Sequence, residues 1–206
     1  DHGLPNSCEV FGLFAPLLPQ EARTDLLAAP SRKRQGLVPD DLTTLPEGLE
    51  ALMELKVIGA GPTHYAHNDV HRCYAVAARA GAIPREYQTK ALRLDHRHCG
   101  TPEGTPGPVT QKLASYGRIR GLAFGAYGEA SQDVHDLVSI LAVNCACRQW
   151  VRMGSRDPEE AAATLKRSLY RSWGLMAMRS QACLKLAGLS HVGAGASAAR
   201  ARRTDT

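Results

Sequence analysis

The chain has 206 residues, 44% of them hydrophobic and 22% charged, which suits one globular domain of ordinary size with a substantial core. No uninterrupted apolar run approaches the roughly 20 residues that a membrane helix requires, and no signal-peptide pattern opens the sequence. No membrane partner is therefore expected. The net charge of +5 and pI near 9.0 instead favour a polyanionic partner.

The sequence begins Asp-His-Gly rather than with Met, as an excised segment of a longer polyprotein would. Over residues 7–29, Val10, Leu13, Phe14, Leu17 and Leu18 recur at three and four, which predicts a helix. Ser7 is its candidate cap and Glu9 sits in its first turn, with Pro16 and Pro19 expected to break it. Arg32, Lys33 and Arg34 form a basic turn leading into a first strand, Arg34-Gln35-Gly36-Leu37-Val38. Residues 41–49, with Pro46 and Gly48, are expected to be a hairpin connection. A second strand, Leu52-Met53-Glu54-Leu55-Lys56-Val57-Ile58, ends at Gly59-Ala60-Gly61-Pro62.

A polar, histidine-rich loop is expected over 63–72 and a short alanine-rich helix over 73–80. Pro84 then starts a stronger helix to about residue 98, because proline suits a first turn. A rigid loop at 100–108 precedes a short helix over 109–116 and a buried strand over 119–124. An amphipathic helix follows over 133–150. Asp157-Pro158-Glu159-Glu160 is a strong start for a long helix, with Gly174 its candidate kink. The composition divides the chain into a core over 1–150, a helical extension over 151–192 and a tail over 193–206 expected to lack order.

Two features carry chemistry. If the second run is a strand, Glu54 and Lys56 share one face while Leu55 and Val57 take the other. Asp40 follows Pro39 at the end of the first run, so two carboxylates and a lysine would converge at one end of a sheet. Such a set can bind a hard cation and handle a phosphate. A half-exposed strand with a solvated charged pair is the alternative, and Asp41 competes with Asp40 for the ligand role. Six cysteines lack a disulfide-framework spacing, which points to free thiols in a reducing, intracellular compartment. His64, His67, His71 and Cys73, like His96, His98 and Cys99, lack the matching second half of a zinc site.

Pro39-Asp40 and Glu54-x-Lys56 together resemble the signature of the PD-(D/E)xK superfamily of restriction-endonuclease-like nucleases, over residues 8–147. The resemblance implies an α/β fold with an αβββαβ core: a small mixed sheet flanked by helices, followed here by the helical extension. It implies a Mg²⁺- or Mn²⁺-dependent endonuclease acting on DNA, with RNA also admissible. Asp40, Glu54 and Lys56 would be catalytic, with Asp40 and Glu54 on the metal and the Leu55 carbonyl a further ligand. Glu9, Tyr87 and Lys90 are accessory candidates, and Arg32, Lys33 and Arg34 a clamp on the nucleic-acid backbone. A narrower likeness, through 32–40, 54–58 and Leu122-Ala123-Phe124-Gly125-Ala126-Tyr127-Gly128-Glu129, is to nuclease domains beside reverse transcriptases in retroelement polyproteins. In a eukaryote that implies a nuclear location. The rival expectation is an inactive nucleic-acid-binding or scaffold domain that keeps the fold.

Overall fold

The computed structural model describes residues 6–8, 12–23, 37–46, 48–59 and 72–201. Its centre is a sheet of four strands in the order β1 (Asn6–Cys8), β2 (Asp41–Thr44), β3 (Glu50–Val57) and β4 (Arg120–Phe124). The first three are antiparallel neighbours, with Asp41 opposite Met53 and Thr44 opposite Glu50. β4 lies parallel to β3, with Glu54 beside Gly121 and Lys56 beside Ala123. A parallel neighbour demands a crossover. Here that crossover is α1 (Arg72–Cys99) followed by α2 (Pro108–Ser115). Two further helices, α3 (Gln132–Gln149) and α4 (Pro158–Ala201), complete the chain.

Helices cover both faces of this α/β sheet. On one face Leu52 packs with Ile83, Tyr87, Ala91 and Leu94 of α1, and Ile58 and Ala123 with Val76 and Ala80. On the other, Ala51 and Met53 meet Leu137 of α3 and Trp173 of α4. This follows from the alternation along β3: even-numbered residues face α1, odd-numbered ones face α3 and α4.

Four expectations need correction. Ser7 lies in β1 rather than capping a helix. The expected helix over 7–29 is reduced, within the described residues, to a 3₁₀ turn at Ala15–Leu17 and a helical turn at residues 20–23. Leu37, Val38 and Pro39 are not strand; pairing starts at Asp41, in the segment expected to be a connection. Proline has no N–H for a ladder, so the strand begins only beyond it. The connection itself is a tight turn in which Leu45 N donates to Leu49 O at 2.8 Å. The helices expected over 73–80 and from Pro84 are one helix, with Pro84 inside it. Finally, α4 runs through Gly174 and on to Ala201, so residues 193–201 continue as helix where no order was expected.

Pro84 has a structural counterpart on β4. Without an N–H at position 84, the Ala80 carbonyl four residues earlier loses its helical partner. That carbonyl lies against Gly121: a Cβ placed there would come within 2.8 Å of Ala80 O, 2.9 Å of Ala80 Cα and 3.0 Å of Ile83 Cδ1. Helix and strand thus approach backbone to backbone, which only glycine permits. Gly121→Ala should therefore lower stability by about 1–3 kcal/mol, because rigid backbone must move to admit the methyl group. Urea unfolding checks this; an unchanged midpoint would show that the two backbones are not in contact.

Two buried carboxylates fix the loops. Asp95 of α1, fully buried, accepts from Gly107 N (2.9 Å), Val109 N (2.8 Å) and Thr110 N (2.9 Å), so it closes the N-terminus of α2 from another helix. Gly107 must be glycine, since a Cβ would sit 2.7 Å from Asp95 Cγ. Asp133 pairs with Arg118 and accepts from Gly121 N at 2.8 Å. Beside it, Ser131 Oγ donates to Gly121 O (2.6 Å) and accepts from Ala123 N (3.1 Å), while Ser131 N donates to Ala123 O (2.9 Å). The outer edge of β4 is therefore occupied by the chain that follows it.

Candidate active site

The register of the β2–β3 pair explains how Asp40 reaches β3. Extended by two residues, it sets Pro39 opposite Leu55. Proline ends the ladder there, and the Asp40 side chain takes over: Leu55 N donates to Asp40 Oδ2 at 2.7 Å. The N–H and C=O of a strand residue point to the same neighbour. The Leu55 carbonyl therefore faces the same side, where Pro39 has no N–H to offer it. A Pro-Asp pair at this point thus brings a carboxylate to β3 and leaves a backbone oxygen beside it.

Glu54 is the neighbouring residue on β3, and it points toward α1. It is 8% exposed, few enough contacts with water that its charge needs partners. It has two. Lys56 Nζ, two residues along the same face, donates to Glu54 Oε1. The Tyr87 hydroxyl of α1 donates to Glu54 Oε2 at 2.6 Å. The same hydroxyl lies 3.1 Å from the Val38 carbonyl. Tyr87 thereby ties the chain just before Asp40 to the carboxylate of Glu54. Its phenol is pushed well above the ordinary range, first by burial, then by the Glu54 hydrogen bond and charge, and then by the charges of Asp40 and Glu86. Burial and the neighbouring carboxylates thus favour the neutral phenol, which donates to Glu54. Lys90, one turn on, holds its ammonium 5.4 Å from the centre of the Tyr87 ring.

The sequence-predicted residues thus divide clearly. Glu54, Lys56 and Tyr87 are joined by hydrogen bonds, Asp40 is held on the amide of Leu55 between Glu54 and Lys56 in the chain, and Lys90 adjoins through the Tyr87 ring. Asp41, the competitor, is the first residue of β2, and Thr43 Oγ1 bonds its Oδ2. Glu9, Arg32, Lys33 and Arg34 lie outside the described residues, as do His64, His67 and His71. Sequence reasoning did not find that the Leu55 amide holds Asp40, nor that the Tyr87 hydroxyl spans Glu54 and Val38. The spacing of Pro39 and Leu55 about the hairpin was the available signal for the first.

Among the described residues, no group of three or more His, Cys, Asp and Glu side chains gathers into a metal cluster. The oxygen set on offer here is of a different kind: carboxylates on two adjoining segments, Asp40 and Glu54, and the backbone carbonyl of Leu55. Hard oxygens in that number fit Mg²⁺, which keeps several waters and needs only one or two carboxylates from the protein. Soft or imidazole ligands, which would favour zinc, are not part of it.

No family model matches the chain, and no curated protein or solved structure is detectably similar to it. The functional reading rests on the site itself.

Proposed function

We propose that the chain is a metal-dependent endonuclease-like domain that hydrolyses DNA phosphodiester bonds, built on a restriction-endonuclease-like core. The observation that supports this reading is the Asp40 carboxylate held on the Leu55 amide, in the strand where Glu54 and Lys56 pair on one face. The antiparallel β2–β3 pair followed by a helix and a parallel β4 agrees with the second half of an αβββαβ core. Service to a mobile element follows the narrower sequence likeness and stands or falls apart from the chemistry.

In this reading Asp40, Glu54 and the Leu55 carbonyl hold Mg²⁺ or Mn²⁺. The bound ion supplies charge neutralisation at the phosphate and acidifies a bound water. The protein's own groups do the rest. Lys56 directs its ammonium at the attacking water and the scissile phosphate, while offsetting the repulsion between two nearby carboxylates. Tyr87, through its hydroxyl, fixes the rotamer of Glu54. The Leu55 amide does the same for Asp40, so neither carboxylate reorganises when charge develops.

Incubated with plasmid DNA, the domain should nick or cut with Mg²⁺ or Mn²⁺ and stop when EDTA is added. Equal cutting in the presence of chelator would rule out the metal mechanism. One observation favours a second reading. Lys56 and Tyr87 together engage both oxygens of Glu54, an arrangement that also serves a domain keeping the fold to bind nucleic acid without cutting it. Salt-sensitive binding with no cleavage under any divalent ion would select that reading.

A further inference from the structure

The positive charge of this protein is not spread around the candidate site. Residues 161–206 contain eight Lys and Arg against one Asp or Glu, a net +7. The other 160 residues contain seventeen against nineteen, a net −2. Residues 1–160, which carry Asp40, Glu54 and Lys56, are therefore slightly acidic, and the basic pI belongs to the C-terminal 46 residues, six of whose eight cations lie in α4. No acidic side chain follows Glu160 in α4, a helix of 44 residues and about 66 Å.

The helix uses its two sides differently. Leu165, Leu169 and Trp173, half-buried, lie within about 80° of one another on a helical projection. This side meets the body: Trp173 packs edge-on against Phe124 at 5.8 Å, and the Tyr170 hydroxyl lies 2.7 Å from His135 Nδ1. Lys166 Nζ donates to Ser139 Oγ at 2.9 Å and is occupied there. Arg167 and Arg171 lie on the opposite side, about 40° apart, and Arg179 lies about 80° further round, toward Leu165; the exposed Leu175 and Met178 fall within the same arc. All three arginines are exposed, and among the described residues none is paired with a carboxylate.

We propose that the outer, arginine-bearing side of α4 is a docking surface for the phosphate backbone of duplex nucleic acid, and that it recruits the substrate which the rim of the sheet then cuts. The second half of this statement rests on the nuclease reading; the first does not. Charge complementarity selects the partner. Guanidinium groups bind phosphates bidentately, and a run free of carboxylates offers no repulsion along its length. A lipid surface fits less well, because a helix lying on a bilayer must insert its apolar side. Around Trp173 that side is already spent on Phe124 and α3, and the exposed apolar side chains beyond it, Leu175, Met176 and Met178, are few.

The test is fluorescence anisotropy with a DNA duplex of about 30 base pairs, longer than the helix. Changing Arg167, Arg171 and Arg179 together to Gln should weaken binding at least tenfold at about 0.1 M salt. It should also flatten the log–log salt slope by about 2.7, the value for three lost phosphate contacts. Helicity by circular dichroism should be retained, since Gln is as good a helix former as Arg. Wild-type affinity and slope in the triple variant would overturn the proposal. So would binding to phosphatidylserine vesicles, but not to the duplex, that the triple change abolishes. EDTA separates the two readings: with no divalent ion, the wild-type chain should still bind the duplex through α4. A wild-type chain that binds through α4 but never cuts removes the nuclease and keeps the docking surface. One that cuts while the triple variant binds normally does the reverse.

Discussion

Glu54→Gln is expected to reduce Mg²⁺-dependent DNA cleavage by at least about a hundredfold while leaving the fold intact. Glutamine keeps the volume of the side chain and an amide oxygen that can still accept from Tyr87. What it loses is the negative charge that a hard cation and Lys56 both require. Lys56 is one-third exposed, so water can replace its lost partner, and the stability change should stay within about 1 kcal/mol. Cleavage kinetics and urea unfolding on the same preparation read the two effects separately. A variant that cuts at the wild-type rate would remove Glu54 from the site. A variant that unfolds would instead show the carboxylate to be structural.

The largest stability effect is expected at Asp95, far from the rim. Alanine there would leave three buried amides, those of Gly107, Val109 and Thr110, without an acceptor, at a cost of about 3–5 kcal/mol. The same residue should shape the acid limb of stability. Burial alone raises the pKa of its carboxyl, but the hydrogen bonds from Thr110, Val109 and Gly107 outweigh burial and hold it below the ordinary value. A depressed carboxylate stabilises fully above its unfolded pKa, about 3.9, and loses that contribution as pH falls through the lower folded value. The wild-type Tm should therefore drop below about pH 4, and Asp95→Ala should start lower and drop less steeply. Equal acid limbs in the two proteins would show that Asp95 titrates alike in the folded and unfolded chain.

The strand that carries Glu54 and Lys56 was legible because its signal is local. Glu54 and Lys56 interrupt an apolar run at a spacing of two, and only a strand puts them on one side. The helices after Gly107 were legible for the same reason, through apolar periodicity and, for α4, the start at Asp157. What failed to show depends on partners distant in sequence. Arg34-Gln35-Gly36-Leu37-Val38 has strand composition, yet Pro39 moves the pairing beyond it to Asp41. Pro84 reads as a helix start from its own neighbours. Only the approach of Gly121, 37 residues later, gives the Ala80 carbonyl an environment in which the helix can continue through the proline. Asp95 looks like any charged residue of an amphipathic helix until the loop that returns to it is known. The division of charge between body and α4 was present in the sequence, but the net value of +5 conceals it.

The occupied edge of β4 bears on how this protein can associate. An open sheet ordinarily offers its outer strands to any other extended chain, which is the route to strand exchange and fibrillar growth. Here the N–H and C=O groups of Gly121 and Ala123 are already committed to Ser131 and Asp133, only a few residues on. A foreign strand would have to displace a turn tethered beside them, at very high local concentration. The opposite edge, β1, has three residues among those described. The sheet is thus closed to extension along β4, where the chain that follows the strand already holds its edge.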